Sequence, residues 1–210
     1  MINVGWGSKK TQFHGSIGKA AQLAQPASLL PLAPPEDGAR PGITWRGDGA
    51  YFAVSSLDEY SASSSRPGGK RRQVRVYQRT PCALSATSEL VHGLQGASAG
   101  SAGGGLIAWR PAGNLLAAVK RYGYEGGAEG EGGAESRRDV VFFERNGLVH
   151  GGFRLREDER VRNGKQDATW DVVSLAYSAS SQVLAIHISR KDTDVGKFDG
   201  AVVWTVLTDS

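Results

Sequence analysis

Three segments of the chain repeat one pattern of apolar and turn-forming positions. They read WRGDGAYFAV (45–54), WRPAGNLLAA (109–118) and YSASSQVLAI (177–186). In each segment an aromatic residue stands eight positions before an alanine, and turn-type residues followed by apolar residues lie between them. An apolar strand, a turn built from Gly, Asn, Asp or Ser, and a second apolar strand together predict a β-hairpin. The pattern therefore predicts three hairpins.

Each predicted hairpin is followed by a third strand, and two of the hairpins by a fourth. The third strands are predicted at Gln73–Tyr77, Asp139–Phe143 and Ala201–Trp204, where β-branched residues lead to an aromatic. Weaker fourth strands are predicted at Ala83–Leu90 and Leu148–Leu155. The repeating unit is thus four antiparallel strands, which is the blade of a β-propeller.

The predicted fold class is all-β, a partial WD40-like β-propeller of about three four-stranded blades. The blades are predicted at approximately 43–92, 106–155 and 172–210, with 1–42 as a preceding strand and connector, so that 1–210 is part of one propeller domain. The aromatic residues that mark the repeat are 64 and 68 residues apart, longer than the roughly 40–45 residues of ordinary WD40 blades. The excess falls in Gly/Ser-rich insertions, which we expect to be disordered loops, at 61–69, 96–105 and 126–135.

Three blades are fewer than a closed propeller has, since closed propellers are built from roughly 4–8 blades. An open arrangement leaves sheet edges that invite pairing with another chain. The sequence is therefore predicted to be a fragment of a longer protein, or to pair with a partner.

Positive charge is concentrated in the first half of the chain. The formal net charge is +4, and residues 1–105 carry 11 Lys and Arg against 6 Asp and Glu. Much of the excess is one cluster, formed by Arg66, Lys70, Arg71, Arg72 and Arg75. These five residues are candidate nucleic-acid contacts or a nuclear signal. The alternative is a solvated loop with flanking cations.

No pattern in the sequence predicts a catalytic, cofactor or metal site. The stretch Gly15–Lys19 resembles a phosphate-binding loop, but Phe13 stands where its first glycine should be and Ala20 where a Ser or Thr should be. The spacings between the four histidines, 78, 58 and 37 residues, do not match a metal-ligand set, and Cys82 is the single cysteine. No signal peptide is evident, and no apolar run approaches the roughly 18 residues of a membrane span.

The most specific stretches of the sequence are VGWGSKKTQFHGSIGKAA (4–21), LIAWRPAGNLLAA (106–118) and DVVFFERNGLVHGGFRL (139–155). They resemble one known family, the largest (scaffold) subunit of the Elongator complex, or IKAP family. The resemblance continues through other segments, namely ITWRGDGAYFAVSS (43–56), VRVYQR (74–79), SLAYSASSQVLAIHI (174–188) and VVWTV (202–206). The Gly/Ser-rich insertions depart from the family pattern, but they fall between predicted strands.

The resemblance implies a much longer protein with two WD40-type propellers and a helical solenoid that dimerises. This chain would be a fragment of the first propeller, without the dimerisation region. The implied function is not enzymatic: a scaffold supporting tRNA wobble-uridine modification through contacts with other Elongator subunits, including the catalytic subunit that combines radical and acetyl-transfer modules. Transfer RNA would be contacted indirectly or weakly, no membrane is implied, and the expected location is the cytoplasm, with the nucleus as a second compartment. A basic RNA-binding or tRNA-binding module using the 66–75 cluster remains the alternative.

Overall fold

The computed structural model describes residues 33–34, 37–61, 68–97, 106–122, 137–155, 169–192 and 196–205. All regular secondary structure in these residues is β-strand. The twelve strands are β1 (Gly42–Trp45), β2 (Tyr51–Tyr60), β3 (Gly69–Gln78), β4 (Ala83–Thr87), β5 (Leu94–Gln95), β6 (Ile107–Trp109), β7 (Leu115–Tyr122), β8 (Arg137–Glu144), β9 (Val149–Arg154), β10 (Thr169–Tyr177), β11 (Val183–Asp192) and β12 (Gly196–Thr205). The all-β prediction is confirmed over this part of the chain, in which no helix is long and apolar enough to cross a membrane.

The first sheet is a four-stranded antiparallel meander in the order β1-β2-β3-β4. Its opening hairpin turns at the predicted Gly-Asp-Gly, where Gly49 has a φ of 66° and the Asp48 carboxylate accepts a hydrogen bond from Ala50 N–H at 2.9 Å. Glycine is favoured at a positive φ because it has no side chain to clash with the backbone. The predicted third strand extends over ten residues, and the fourth is present as β4.

The second sheet has the same order, but its innermost strand is split. Strands β7, β8 and β9 form an antiparallel meander, and both β5 and β6 pair with the free side of β7. Gln95 pairs with Val119, and Ile107 pairs with the adjacent Ala118. The sequence predicted only the later piece, because β5 is two residues long and is separated from β6 by the Gly/Ser-rich run. Most residues of the three insertions that we expected to be disordered lie outside the described residues.

The third sheet contains β10, β11 and β12 in that order. Strand β10 has a bulge between Val172 and Ser174, after which its pairing with β11 continues to Tyr177 and Leu184. The prediction of a blade reaching residue 210 extends past the described residues, which end at 205.

The three sheets are stacked face to face, with one apolar layer between each neighbouring pair. The first layer joins Ala53, Val74 and Val76 of the first sheet to residues of the second sheet, namely Leu94, Ile107, Trp109, Leu116, Ala118, Val141 and Phe143. The second layer joins the opposite face of the second sheet to the third sheet, through Leu106, Ala108, Ala117, Val119, Val140, Leu155, Val172, Leu175, Leu184 and Ile186. Stacked sheets sharing their faces in this way are the packing of propeller blades.

Gly93 lies where two backbone segments of the second sheet come close together, and its replacement provides a first prediction. Its φ is +72°, and a Cβ placed there would lie 2.0 Å from the carbonyl oxygen of Arg121. Gly49 has a similar φ, but its Cβ would meet only the Arg79 side chain at 3.6 Å. Gly49→Ala should therefore cost about 1–2 kcal/mol of unfolding free energy from backbone strain alone.

Gly93→Ala should cost more than Gly49→Ala, because the β5–β7 backbone must also move apart. Arg121 N–H donates to the Gly93 carbonyl at 2.8 Å, and this bond would be strained. Urea unfolding followed by circular dichroism measures both variants. Equal losses would show that backbone crowding at Gly93 contributes nothing.

Candidate interaction surfaces

The predicted basic cluster is largely neutralised by carboxylates of the first sheet and of the loop before it. Arg66 lies outside the described residues. Lys70 forms an exposed ion pair with Glu59 at 2.7 Å, which raises the pKa of Lys70 and lowers that of Glu59 through the shared hydrogen bond. The hydrogen bond to Asp58 likewise raises the pKa of Arg75, whose guanidinium also donates to Ser56 Oγ at 2.7 Å.

Arg72, another member of the cluster, is buried and holds three parts of the structure together. Its guanidinium donates to both oxygens of Asp37, at 2.6 and 2.5 Å, and the two side chains are only 0% and 2% exposed. It also donates to the carbonyl oxygens of Arg40 and Ser55, each at 3.1 Å. Asp37 in turn accepts from Gly96 N–H at 3.0 Å, beside the innermost strand of the second sheet. Arg72 therefore links the first sheet to the loop before β1 and to the second sheet.

Arg71 completes the described cluster, and its guanidinium lies 5.7 Å from the centre of the Tyr60 ring. Carboxylates thus pair with three of the four cluster residues that the structure describes, and the buried Arg72 is not exposed for a partner. This arrangement favours a structural role for Arg72. Contact between the cluster and nucleic acid stays a prediction.

A second buried arginine occupies the equivalent position in the second sheet. Arg138 donates to Asp171 of the third sheet at 3.0 Å, and Gln95 donates to the same carboxylate oxygen at 3.1 Å. Val74 pairs with Ser55 in the first sheet, and Val140 pairs with Val119 in the second, so the two valines occupy matching positions. Arg72 and Arg138 each lie two residues before these valines. An arginine–aspartate ion pair thus lies at each seam between stacked sheets. Sequence analysis missed both pairs because neither aspartate stands in a recognisable motif.

The outer face of the first sheet is apolar and uncovered in the described structure. Its exposed large residues are Ile43, Trp45 and Leu84, which are 61%, 51% and 54% exposed. Phe52 and Tyr77 continue this face, with ring centres 4.9 Å from Trp45 to Phe52 and 5.2 Å from Phe52 to Tyr77. We call these five residues the open face.

The repeat shows what kind of surface covers such a face. In the second sheet, residues at positions matching the open face lie in the layer that packs against the first sheet. Trp109 matches Trp45 and is 3% exposed, and Phe143 matches Tyr77 and is 0% exposed. The surface that covers them consists of small and β-branched residues such as Ala53 and Val76.

Hydrogen bonds join the tight turns of the three hairpins at one end of the stack. Gly47 N–H donates to the Pro111 carbonyl at 3.2 Å, which joins the first turn to the second. Ala112 N–H donates to Ser181 Oγ at 2.7 Å, and Arg110 Nε donates to the Ser181 carbonyl at 3.0 Å, which join the second turn to the third. A Cβ on Gly47 would lie 2.7 Å from the Pro111 carbonyl oxygen, so the first two turns are in close contact.

Three arginines gather where the first two sheets meet this end. The guanidinium carbons of Arg46 and Arg145 lie 5.7 and 4.7 Å from the centre of the Tyr51 ring. Arg79, which follows β3, reaches to within 3.6 Å of the Cβ position of Gly49 in the neighbouring turn. Arg46 lies 3.5 Å from Asp48. Among the described residues, no carboxylate forms an ion pair with Arg79 or Arg145. We call Arg46, Arg79 and Arg145 the turn arginines.

Tyr177, in the second layer, provides a pH prediction. Its buried hydroxyl has no hydrogen-bond partner among the described residues. Burial raises the pKa of Tyr177 to about 12, and the charge of Arg110 opposes part of this effect. An unfolded tyrosine titrates near pH 10, so the unfolded state loses its proton first. The free energy of unfolding should therefore fall as the pH rises from about 10 to about 12.

Tyr177→Phe should remove the part of this fall in unfolding free energy that comes from Tyr177, because phenylalanine has no proton to lose. Urea unfolding of both proteins at about pH 9 and about pH 11 measures the difference. The same decline in both would contradict burial of the Tyr177 hydroxyl.

The described residues contain no group of three or more His, Cys, Asp or Glu that could hold a metal ion. His150 lies 3.2 Å from Glu144 on the surface, and Cys82 is an exposed free thiol.

Comparison with known proteins agrees with this architecture. Residues 1–207 match the family described as the ELP1 first N-terminal beta-propeller. The chain belongs to this family. Elongator complex protein 1 of Mus musculus is 37% identical over 214 residues, which cover 98% of this chain and 12% of that protein. The Saccharomyces cerevisiae protein of the same name is 32% identical over 213 residues, covering 90% of this chain and 14% of its own length.

Membership in the ELP1 first-propeller family confirms the resemblance to the Elongator subunit and the prediction of a partial β-propeller. The chain spans about an eighth of the length of these curated relatives. The three stacked sheets are accordingly three blades of a first propeller.

Proposed function

We propose that this chain is a non-catalytic scaffold segment of the Elongator complex, and that it supports tRNA wobble-uridine modification through protein–protein contacts. The observation that carries the proposal is the match of residues 1–207 to the ELP1 first-propeller family. The relatives from Mus musculus, Rattus norvegicus and Saccharomyces cerevisiae, which match 98%, 89% and 90% of this chain, are all named Elongator complex protein 1.

The geometry supports a scaffold because the described strands form a rigid stack with surfaces left over for contact. Two apolar layers and two arginine–aspartate ion pairs fix the sheets against one another. Propellers present their turns and outer surfaces to partners on such a frame. The open face of the first sheet would be covered by a neighbouring blade.

The proposed partners are the other Elongator subunits, including the catalytic subunit with radical and acetyl-transfer modules. The chemistry would belong to that subunit, so this segment would contribute position and not reacting groups. The proposed location is the cytoplasm, with the nucleus as a second compartment.

Removal of the natural full-length protein from its own cells tests the proposal. We expect modified wobble uridines, measured by mass spectrometry of tRNA nucleosides, to fall to background and to return when the protein is re-expressed. Re-expression carrying Trp109→Asp should restore modification poorly, because a charge would be buried between the first two sheets. Cys82→Ser, an exposed control, should restore it fully. Unchanged nucleosides after removal would refute the proposal.

A further inference from the structure

The turn arginines form a pre-positioned group of positive charges on a rigid surface. Tyr51 is half-buried, and its ring lies 6.5 Å from the ring of the buried Trp109, which places it against the second sheet. Arg46 and Arg145 both lie within 6 Å of this ring, one from the first sheet's turn and one from the second's. An arginine stacked on an aromatic ring keeps the N–H groups at its edge free to donate.

The surrounding acids do not neutralise these charges. Asp48 is 3.5 Å from Arg46, and it also accepts the backbone bond of its own turn. Glu144, next to Arg145 in the chain, binds Asn146 and His150 instead. Among the described residues, the turn arginines thus form one ion pair, between Arg46 and Asp48. This contrasts with the 66–75 cluster, where a carboxylate accompanies each of Lys70, Arg72 and Arg75.

Hydrogen bonds hold the turns that carry these arginines in place. The first hairpin turn is bonded to the second at Pro111, and the Gly147 carbonyl accepts a hydrogen bond at 2.7 Å from Glu89 N–H, two residues after β4. A Cβ on Gly147 would lie 2.3 Å from the Thr87 carbonyl oxygen. Little conformational freedom would be lost on binding, and such pre-organisation favours affinity.

We propose that the turn arginines dock an acidic segment of a partner protein, rich in Asp or Glu. This inference rests on the proposed scaffold function and names the chemistry of one contact. Guanidinium groups match the planar carboxylate through paired, charge-assisted hydrogen bonds. Docking would occur at the hairpin-turn end of the first two sheets, away from the 66–75 cluster.

The geometry favours an acidic protein segment over a nucleic acid. Single-stranded nucleic acids are held by aromatic faces on which bases stack, together with a groove of positive charge. Here the aromatic ring beside the turn arginines is that of Tyr51. Arg46 and Arg145 already lie against it, in the place that a stacking base would need. Three arginines are also few beside the roughly 6–10 phosphate contacts of a strong nucleic-acid surface.

Binding of fluorescein-labelled hepta-glutamate to the natural full-length protein, measured by fluorescence anisotropy, tests the inference. We expect Arg46→Gln with Arg145→Gln to weaken binding by about tenfold or more, as loss of charge-assisted bonds predicts. The single variant Arg79→Gln, at an exposed side chain, should also weaken it. Arg145→Lys should not restore full affinity, because lysine lacks the planar fork.

Lys70→Gln is the matched control, since it removes one positive charge far from the turn arginines. Nine residues of extended strand separate Lys70 from Arg79, which corresponds to roughly 30 Å. Its affinity should equal that of the unchanged protein. Two results would overturn the inference: turn-arginine variants that bind hepta-glutamate as well as the control, or hepta-uridylate that binds more tightly and displaces the peptide. The second result would mark a nucleic-acid surface.

A separate readout distinguishes this inference from the proposed function. If the turn-arginine variants bind the peptide normally while wobble-uridine modification still depends on the protein, the acidic-segment inference fails and the scaffold proposal stands. If modification does not depend on the protein, the scaffold proposal fails whatever the peptide result.

Discussion

Asp37→Ala is expected to lower the free energy of unfolding by about 3–5 kcal/mol, the cost of leaving a buried charge without its partner. The Arg72 guanidinium would remain between the sheets with its side chain 0% exposed. Water could replace the lost carboxylate only by entering the packed seam. The loop before β1 would also lose its bond to Gly96, so the first two sheets would be less firmly joined. Urea unfolding of the 210-residue chain, followed by circular dichroism, measures the loss.

The double variant Asp37→Ala with Arg72→Met should recover much of this stability, because an apolar side chain can occupy the seam without an unpaired charge. Glu59→Gln is the surface control. Its partner Lys70 is exposed, and the unfolding midpoint should be unchanged, because exposed ion pairs contribute little. A double variant no more stable than Asp37→Ala would show that the unpaired charge is not the source of the loss.

Trp109→Ala is expected to cost about 3–5 kcal/mol of unfolding free energy, as for other large-to-small changes in a packed core. The side chain lies in the layer between the first two sheets, and its indole N–H donates to the Gly113 carbonyl at 3.2 Å. Its removal would leave a cavity beside Phe143, which is also fully buried.

Trp45→Ala, at the matching position of the first sheet, provides the control for Trp109→Ala. Trp45 is 51% exposed, and it contacts Phe52 on the open face. Its replacement in the same 210-residue chain should cost clearly less, since little buried surface is lost. Circular dichroism detects unfolding in both variants without relying on tryptophan fluorescence. Equal losses would mean that the open face is covered in this chain.

The strands themselves were predictable because their signals are local. Apolar segments such as Ile107–Trp109, turn residues such as Gly49 and the spacing from aromatic to alanine each depend on a few neighbouring positions. The repetition of one pattern three times then indicated stacked sheets of a single type. The fourth strands, β4 and β9, were also found, although their sequences are less apolar.

The contacts that fix one sheet against the next were not predictable, because they join residues distant in the chain. Asp37 and Arg72 are 35 residues apart, and Arg138 and Asp171 are 33 apart. Nothing near Asp37 in the sequence marks it as a buried partner, since it stands in a loop rich in Pro and Gly.

The turn arginines illustrate the same limit, since proximity in sequence and proximity in the fold differ. Arg46 and Arg145 are 99 positions apart in the chain, yet both lie against Tyr51. Conversely, side chains of a strand point alternately to its two faces. Arg72 therefore points toward the second sheet while Arg75 points away, and the apparent cluster is divided by the sheet that contains it.

The innermost strand of the second sheet is split into two parts. The segment between these parts can therefore change in length without changing the strand pairing. The chain leaves the ladder after Gln95 and rejoins it at Ile107, opposite adjacent residues of β7. A longer or shorter connection between such neighbouring points changes only the entropy of loop closure, by about 0.6 kcal/mol for each doubling of length. Positions 98–105 therefore offer a place to insert an epitope tag or a fluorescent label without disturbing either flanking strand.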